Sequence, residues 1–315
     1  MTKVRRVALA PFANGAELAL SIHEVKGNQG DGPTLGISAA IHGDEPTGTH
    51  TVMEIARRHG EGGFRGRLLL LPVANPLAFE ANRRCTPLDS QNLNRVFPGN
   101  PGGWFTEQLA DRIKTEFLEN IDAYIDLHSG TDRPTVDYVF IHNAEALSRS
   151  FGSRILFRAE DGKGGSAFKA STKSVTMALG VPSVTVELGG GLIDQTPYVA
   201  RSVAGIENIM RKLGMLDGDP VPPPAQIAVH SIAYIRPTKG GFLVTEAPPL
   251  GEEINGSAVL GRVVSPYTFA ELEVIHSPFE RGIMILAHLT TNLVQPGDFG
   301  YMVGDMEGCQ HLDGA

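Results

Sequence analysis

Between residues 35 and 213, short apolar runs alternate with stretches whose apolar positions recur at helical spacing. Residues 35–41, 67–73, 123–127 and 183–188 predict strands, and residues 46–59, 106–120, 170–179 and 197–213 predict helices. That alternation implies an α/β sheet with a parallel core. The helix after Glu45 shows the logic: Pro46 suits a first turn, Val52, Ile55 and Ala56 share one face, and Gly60 is expected to provide a left-handed stop. Residues 217–225 carry four prolines and two aspartates, which deny the backbone both helix and ladder hydrogen bonds, so they are expected to link two domains, 1–216 and 226–315. Beyond them the texture changes to short β-branched or aromatic stretches (233–236, 241–244, 258–264, 271–275, 283–287 and 299–303), which predict a small all-β module.

Composition narrows the class without altering that picture. Hydrophobic residues make up 42% and charged residues 20% of the 315, which is the balance of an ordinary globule. The net charge of −8, with no basic run, gives little support to a nucleic-acid or anionic-membrane partner, and a small molecule is favoured. No apolar stretch reaches the ~20 residues needed to cross a bilayer, and the first residues carry too short an apolar run for a secretion signal; the expected location is the cytoplasm. Cys85 and Cys309 lack paired-thiol spacing and read as free thiols.

Three strand ends carry the chemistry. The run Ile37-Ser-Ala-Ala-Ile-His42 ends on a histidine, with Glu45 three residues later at the mouth of a helix. In open α/β sheets the strand ends are where ligands bind. Two histidines and a glutamate are a recurrent catalytic zinc set, of which His42 and Glu45 would supply two members. By itself this pair reads better as a satisfied core histidine and an acidic first-turn residue. A second strand end, Asp122-Ala-Tyr-Ile-Asp-Leu-His128, again terminates on a histidine, and Asp126 falls on its side of the strand, where it could orient a ligand ring. A third, Ser183-Val-Thr-Val-Glu187, ends a β-branched run on an acid before Gly189-Gly190-Gly191. A carboxylate there is costly unless paired or needed.

Taken in order, His42-Gly-Asp-Glu45, Asn75-Pro76, Asn92-Leu-Asn-Arg-Val-Phe-Pro-Gly99, Asp126-Leu-His-Ser129 and Val186-Glu-Leu-Gly189 resemble the succinylglutamate desuccinylase and aspartoacylase family of zinc deacylases, relatives of the zinc carboxypeptidases. The branch that includes N-acetyl-diaminobutyrate deacetylases is the nearest. The resemblance implies a carboxypeptidase-like mixed, largely parallel sheet flanked by helices, with a small C-terminal all-β barrel. It implies one zinc held by His42, Glu45 and His128, Glu187 as general base, Asn94 and Arg95 on the substrate carboxylate, and Arg84 polarising the scissile carbonyl, with Arg83 the alternative. The implied reaction removes an acyl group from an N-acyl amino acid or related small amine. Cobalt or manganese could occupy the same donors. Arg133 and Lys173 are candidates, by location only, for the basic residues such enzymes place around an acyl carboxylate, with exposed surface charges as the alternative, and His142 is a reserve ligand. Gly164-Gly165 and the triple glycine read either as mobile pocket loops or as plain turns.

The barrel resembles biotinyl and lipoyl carriers, yet the stretch 265–275, where those carriers present a lysine, has none, so no covalent cofactor is expected. Truncation at the linker is expected to alter substrate range or association more than zinc binding. A metallocarboxypeptidase and a non-catalytic binding protein remain as alternatives, and assembly into a homo-oligomer stays open.

Overall fold

The computed structural model describes residues 2–158, 169–191, 193–221 and 225–312; Gly164, Gly165 and residues 222–224 of the expected linker lie outside them. The chain begins with β1 (Thr2–Pro11), β2 (Glu17–Lys26), β3 (Thr34–Ala39), α1 (Pro46–His59), β4 (Arg67–Leu71), α2 (Pro76–Glu80), α3 (Phe105–Glu116) and β5 (Ala123–Gly130). There follow β6 (Thr135–Phe140), α4 (Glu145–Phe151), β7 (Ile155–Phe157), α5 (Thr172–Ala178), β8 (Ser183–Gly190) and α6 (Thr196–Lys212). The rest is strand: β9 (Gln226–Val229), β10 (Ile232–Ile235), β11 (Gly241–Thr245), β12 (Glu253–Asn255), β13 (Val259–Val264), β14 (Glu271–His276), β15 (Arg281–Leu286), β16 (Asn292–Val294), β17 (Tyr301–Asp305) and β18 (Gln310–Leu312).

Strands β4, β3, β5 and β8 lie side by side and parallel. Every residue of β3 and β5 is buried, as strands covered on both faces must be. One cover consists of α1, α4 and α6, whose Val52, Ile55, Leu147, Val203 and Ile206 pack on Ile37, Ile125 and Val184. The other contains α3, whose Leu109 and Ile113 pack with Leu69, Leu71 and Tyr124. Because β3, β5 and β8 run the same way, their carboxyl ends meet at one edge, which delivers His42, His128 and Glu187 together.

The sheet continues from β8 into the antiparallel β6, and Thr135 pairs with Leu286 to carry it on through β15, β17 and β10. On the same sheet β7 joins β6 to β9 and β18. Strands drawn from 226–312 are thus hydrogen-bonded into the main sheet, and a shared apolar cluster places Tyr138 and Phe140 with Ile227, Ile283 and Met302. A second sheet, β14-β13-β11-β16, is antiparallel throughout and folds over Leu243, Leu260, Ile275 and Tyr301. The lysine-free hairpin joins β13 to β14, with Tyr267 and Phe269 exposed at its tip.

Two sequence expectations are corrected. Gly60 closes α1 with right-handed dihedrals (φ −61°); the left-handed turn comes at Gly62 (φ +83°), where a side chain would meet the Lys26 carbonyl. The hairpin β1–β2 has no predicted counterpart, because β1 is exposed at most of its positions and so shows little alternation. No helix among the described residues is long and apolar enough to cross a membrane.

Candidate active site

His42 leaves β3 through a sharp bend. Ala40 adopts φ +51°, a conformation uncommon for a side-chain-bearing residue, and is held there by the Asn75 N–H donating to its carbonyl. Gly43 then passes so close to the α2 backbone that a Cβ would overlap the Ala78 carbonyl carbon at 1.9 Å, so only glycine fits between the metal-ligand candidates. Glu45 is the residue before Pro46 and turns inward, 2% exposed.

Glu45 stands between two histidines. Its Oε1 lies 2.7 Å from His42 Nδ1, and its Oε2 lies 2.9 Å from His128 Nδ1. The opposite ring nitrogens face outward: His42 Nε2 is 3.2 Å from Asn92 Oδ1, and His128 Nε2 is 3.2 Å from Asp126 Oδ2. With protons assigned to satisfy those acceptors, both Nδ1 lone pairs point inward at Glu45. The donor atoms of His42, Glu45 and His128 all fall within 4.8 Å of one another and are buried, a chemistry that fits a zinc ion with room for a further ligand. Burial lowers the His42 pKa and keeps that ring neutral. Burial acts the same way on His128, but Asp126 and Glu45 outweigh it and raise its pKa. Those two carboxylates are also what a cation would neutralise.

Asp126 accepts from Ser38 Oγ at 3.0 Å and from Thr172 Oγ1 at 2.6 Å, so its carboxylate is locked beside His128. Glu187 pairs in register with His128 across β5–β8 and with Tyr138 across β6–β8. Burial pushes its carboxyl up to about 7; Glu45 and Asp126 add to that, while His128 and Arg84 oppose it. A carboxylate poised near neutrality beside a candidate metal cluster is suited to proton transfer.

Arg84 Nη1 lies 3.1 Å from Glu45 Oε1, whereas Arg83 meets the site only through its backbone, its carbonyl accepting from Gly43 N–H. Asn94 and Arg95 sit on a 3₁₀ turn, Leu93–Arg95. Asn94 is buried, accepting from Thr172 N–H and lying 3.5 Å from His128 Nε2. Arg95 donates to the Asn94 carbonyl and makes no ion pair with a described residue, so its exposed guanidinium, on the lining of the cavity, has charge to spare.

The cavity, about 380 Å³, is lined by His42, Glu45, Arg84, Asn94, Arg95, His128 and Glu187. It also contains side chains that sequence reasoning missed: Tyr138, Tyr234, Arg236, Leu286, Phe299 and Met302. The one sequence signal was Tyr234 and Arg236, two positions apart and hence on one face of an extended segment. Arg236 lies over the Phe299 ring at 4.0 Å and donates to the Gly297 carbonyl at 2.6 Å. Arg133 lines the cavity too, paired with Asp132 and donating to the Phe299 carbonyl. Lys173 is half-buried outside the lining, where its charge, after burial, holds the His142 pKa down. His142 is not a ligand of the cluster: its Nε2 is 3.2 Å from Thr185 Oγ1, its ring stacks on Phe140, and burial lowers its pKa to about 3.

The family model for the succinylglutamate desuccinylase/aspartoacylase catalytic domain matches residues 31–213, which spans β3 to the end of α6. The chain belongs to this family. Among the family's relatives, the chain is 29% identical over 252 residues to the N-alpha-acetyl-L-2,4-diaminobutyric acid deacetylase of Halomonas elongata, covering 75% of this chain and 71% of that one. The solved succinylglutamate desuccinylase/aspartoacylase of Rhodobacter sphaeroides has the same fold, with a TM-score of 0.83 at 23% identity, covering 96% of this chain and 95% of that one. The product-bound ectoine utilization protein of Ruegeria pomeroyi aligns with a TM-score of 0.82 at 24% identity, covering 97% and 95%. The fold shared with these solved structures extends through the C-terminal strands as well as the region the family model matches.

Proposed function

We propose that the protein hydrolyses the amide bond of an N-acylated amino acid or related small amine, with zinc held by His42, Glu45 and His128. The observation that carries this reading is the convergence of those three donors in one cavity with Glu187 on the next strand. When bound, zinc supplies Lewis acidity, polarising a carbonyl and lowering the pKa of water towards neutrality.

The chain's own groups do the rest. Glu187 takes a proton from the attacking water and returns it to the departing nitrogen, a role its near-neutral carboxyl suits. Arg84 stands where negative charge grows on the carbonyl oxygen as the carbon becomes tetrahedral. Arg95, which makes no ion pair with a described residue, grips the carboxylate of the amine half, and Asn94 completes that contact. Residues 1–216 form the catalytic unit in this reading, and 226–315 close the far wall through Tyr234, Arg236 and Phe299. A short neutral acyl group is preferred, because Arg133 is paired with Asp132, which leaves Arg236, held on the Phe299 ring and the Gly297 carbonyl, as a single further cation rather than a basic cluster.

Rates on acetyl, formyl and succinyl derivatives of one amino acid, its C-terminal amide, and short peptides test this reading. Acetyl or formyl derivatives should be cleaved fastest, and amidation should cost about 1.5–3 kcal/mol of specificity by removing a charge-assisted contact. A preference for peptides would point to a carboxypeptidase instead.

A further inference from the structure

Tyr138 is 3% exposed, yet it lines the catalytic cavity, and its hydroxyl has no hydrogen-bond partner among the described residues. A buried tyrosine ordinarily satisfies its O–H, so one aimed unpaired into a cavity is set to meet what enters there. Its place is fixed by the sheet. Across the antiparallel β6–β8 pair Tyr138 stands directly opposite Glu187, so the two side chains rise from one face as neighbours. Both line the cavity, and the phenol, longer than the carboxylate, has the greater reach into it.

The strand order β3-β5-β8-β6 puts the His42 and His128 strands on one side of Glu187 and Tyr138 on the other. Arg84, against His42 and Glu45, belongs to the first side. A scissile amide lying over Glu187 with its carbonyl oxygen towards Arg84 has a forced orientation. In a trans amide the N–H points away from the C=O, which is towards β6.

Resting on the hydrolase reading above, we propose that the Tyr138 hydroxyl oxygen accepts the N–H of the scissile amide. That contact holds the nitrogen with its developing lone pair turned to Glu187, from which it receives the proton, and makes Tyr138 a substrate-contacting catalytic residue that favours amides over esters. Burial raises the Tyr138 pKa well above its ordinary value, with Glu187 acting in the same direction, so the hydroxyl stays neutral in the working range.

The test compares an N-acetyl amino acid with the matching O-acetyl 2-hydroxy acid, which keeps the acyl group and carboxylate but has an oxygen where the N–H was. Tyr138→Phe should lower kcat/KM on the amide about five- to a hundredfold, the range for leaving a desolvated N–H unpaired, and change the ester less than about twofold, with zinc content unchanged. Equal losses on both substrates, or no loss on the amide, would overturn the proposal while leaving the hydrolase reading intact. Loss of zinc or of the fold in the variant would also overturn it, since the hydroxyl would then support the protein rather than the substrate. A wild-type protein that cleaves neither substrate would overturn the hydrolase reading, and the proposal with it.

Discussion

His128 Nε2 lies 3.2 Å from Asp126 Oδ2, and this contact turns the other ring nitrogen towards Glu45. Asp126 is held in turn by Ser38 and Thr172, so the ring orientation is set before any metal arrives. Asn92 does the same for His42 with a neutral amide oxygen. One candidate ligand ring is thus backed by a charge and the other by a dipole.

Replacing Asp126 by Asn should therefore weaken zinc binding about ten- to a hundredfold, the usual cost of losing an outer partner of a metal-bound histidine. Competition with a chelator of known affinity measures it. Unchanged affinity would show that Asp126 is an ordinary buried acid.

Glu187→Gln should retain zinc while lowering turnover roughly a hundredfold or more, the scale of a positioned acid/base. The pH dependence follows in sign. Glu187 must be ionised to accept a proton, and burial raises its pKa to about 7, so kcat/KM should fall as pH drops through that group. A bound cation favours the carboxylate, which places the acid-limb midpoint at or below about 7. Near-wild-type turnover in the variant, or an acid limb that survives it unchanged, would assign the base elsewhere.

Deleting residues 226–315 should unfold the protein rather than trim its substrate range. The sequence pattern predicts a linked β module whose removal alters substrate range or association, but β9 and β15 pair with strands of residues 1–216, and the shared cluster would expose Tyr138, Phe140, Ile155 and Phe157 once Ile227, Ile283 and Met302 are gone. Each fully buried apolar side chain contributes ~1.5–3 kcal/mol, so several together rival a whole domain stability of ~5–15 kcal/mol. Circular dichroism of the 1–225 fragment checks this; a cooperative melt with zinc retained would restore the detachable module.

What was legible in the sequence was what local pattern dictates. The strands that lead to His42, His128 and Glu187 announce themselves because two-sided burial makes them apolar until the candidate site residue appears. The far wall gave no such sign. Tyr138 sits on β6, where Asp137 and partly buried positions break the apolar run, and Tyr234 and Arg236 become pocket residues only because Thr135–Leu286 pairing curls the C-terminal strands back to the cavity. Such long-range pairing leaves no periodic trace. Asn92 was visible within its motif, yet its hold on His42 depends on a tertiary contact across fifty positions.

The central claim is that one metal ion, held by His42, Glu45 and His128, is required for amide hydrolysis. The most direct measurement is zinc content together with hydrolysis of an N-acetyl amino acid, before and after chelation and again after zinc is restored. One zinc per chain, activity lost on chelation and recovered on reloading, and failure of His128→Ala to hold stoichiometric zinc would bear the account out. Hydrolysis that persists at full rate in the chelated protein, or stoichiometric zinc at unchanged affinity in His128→Ala, would contradict it.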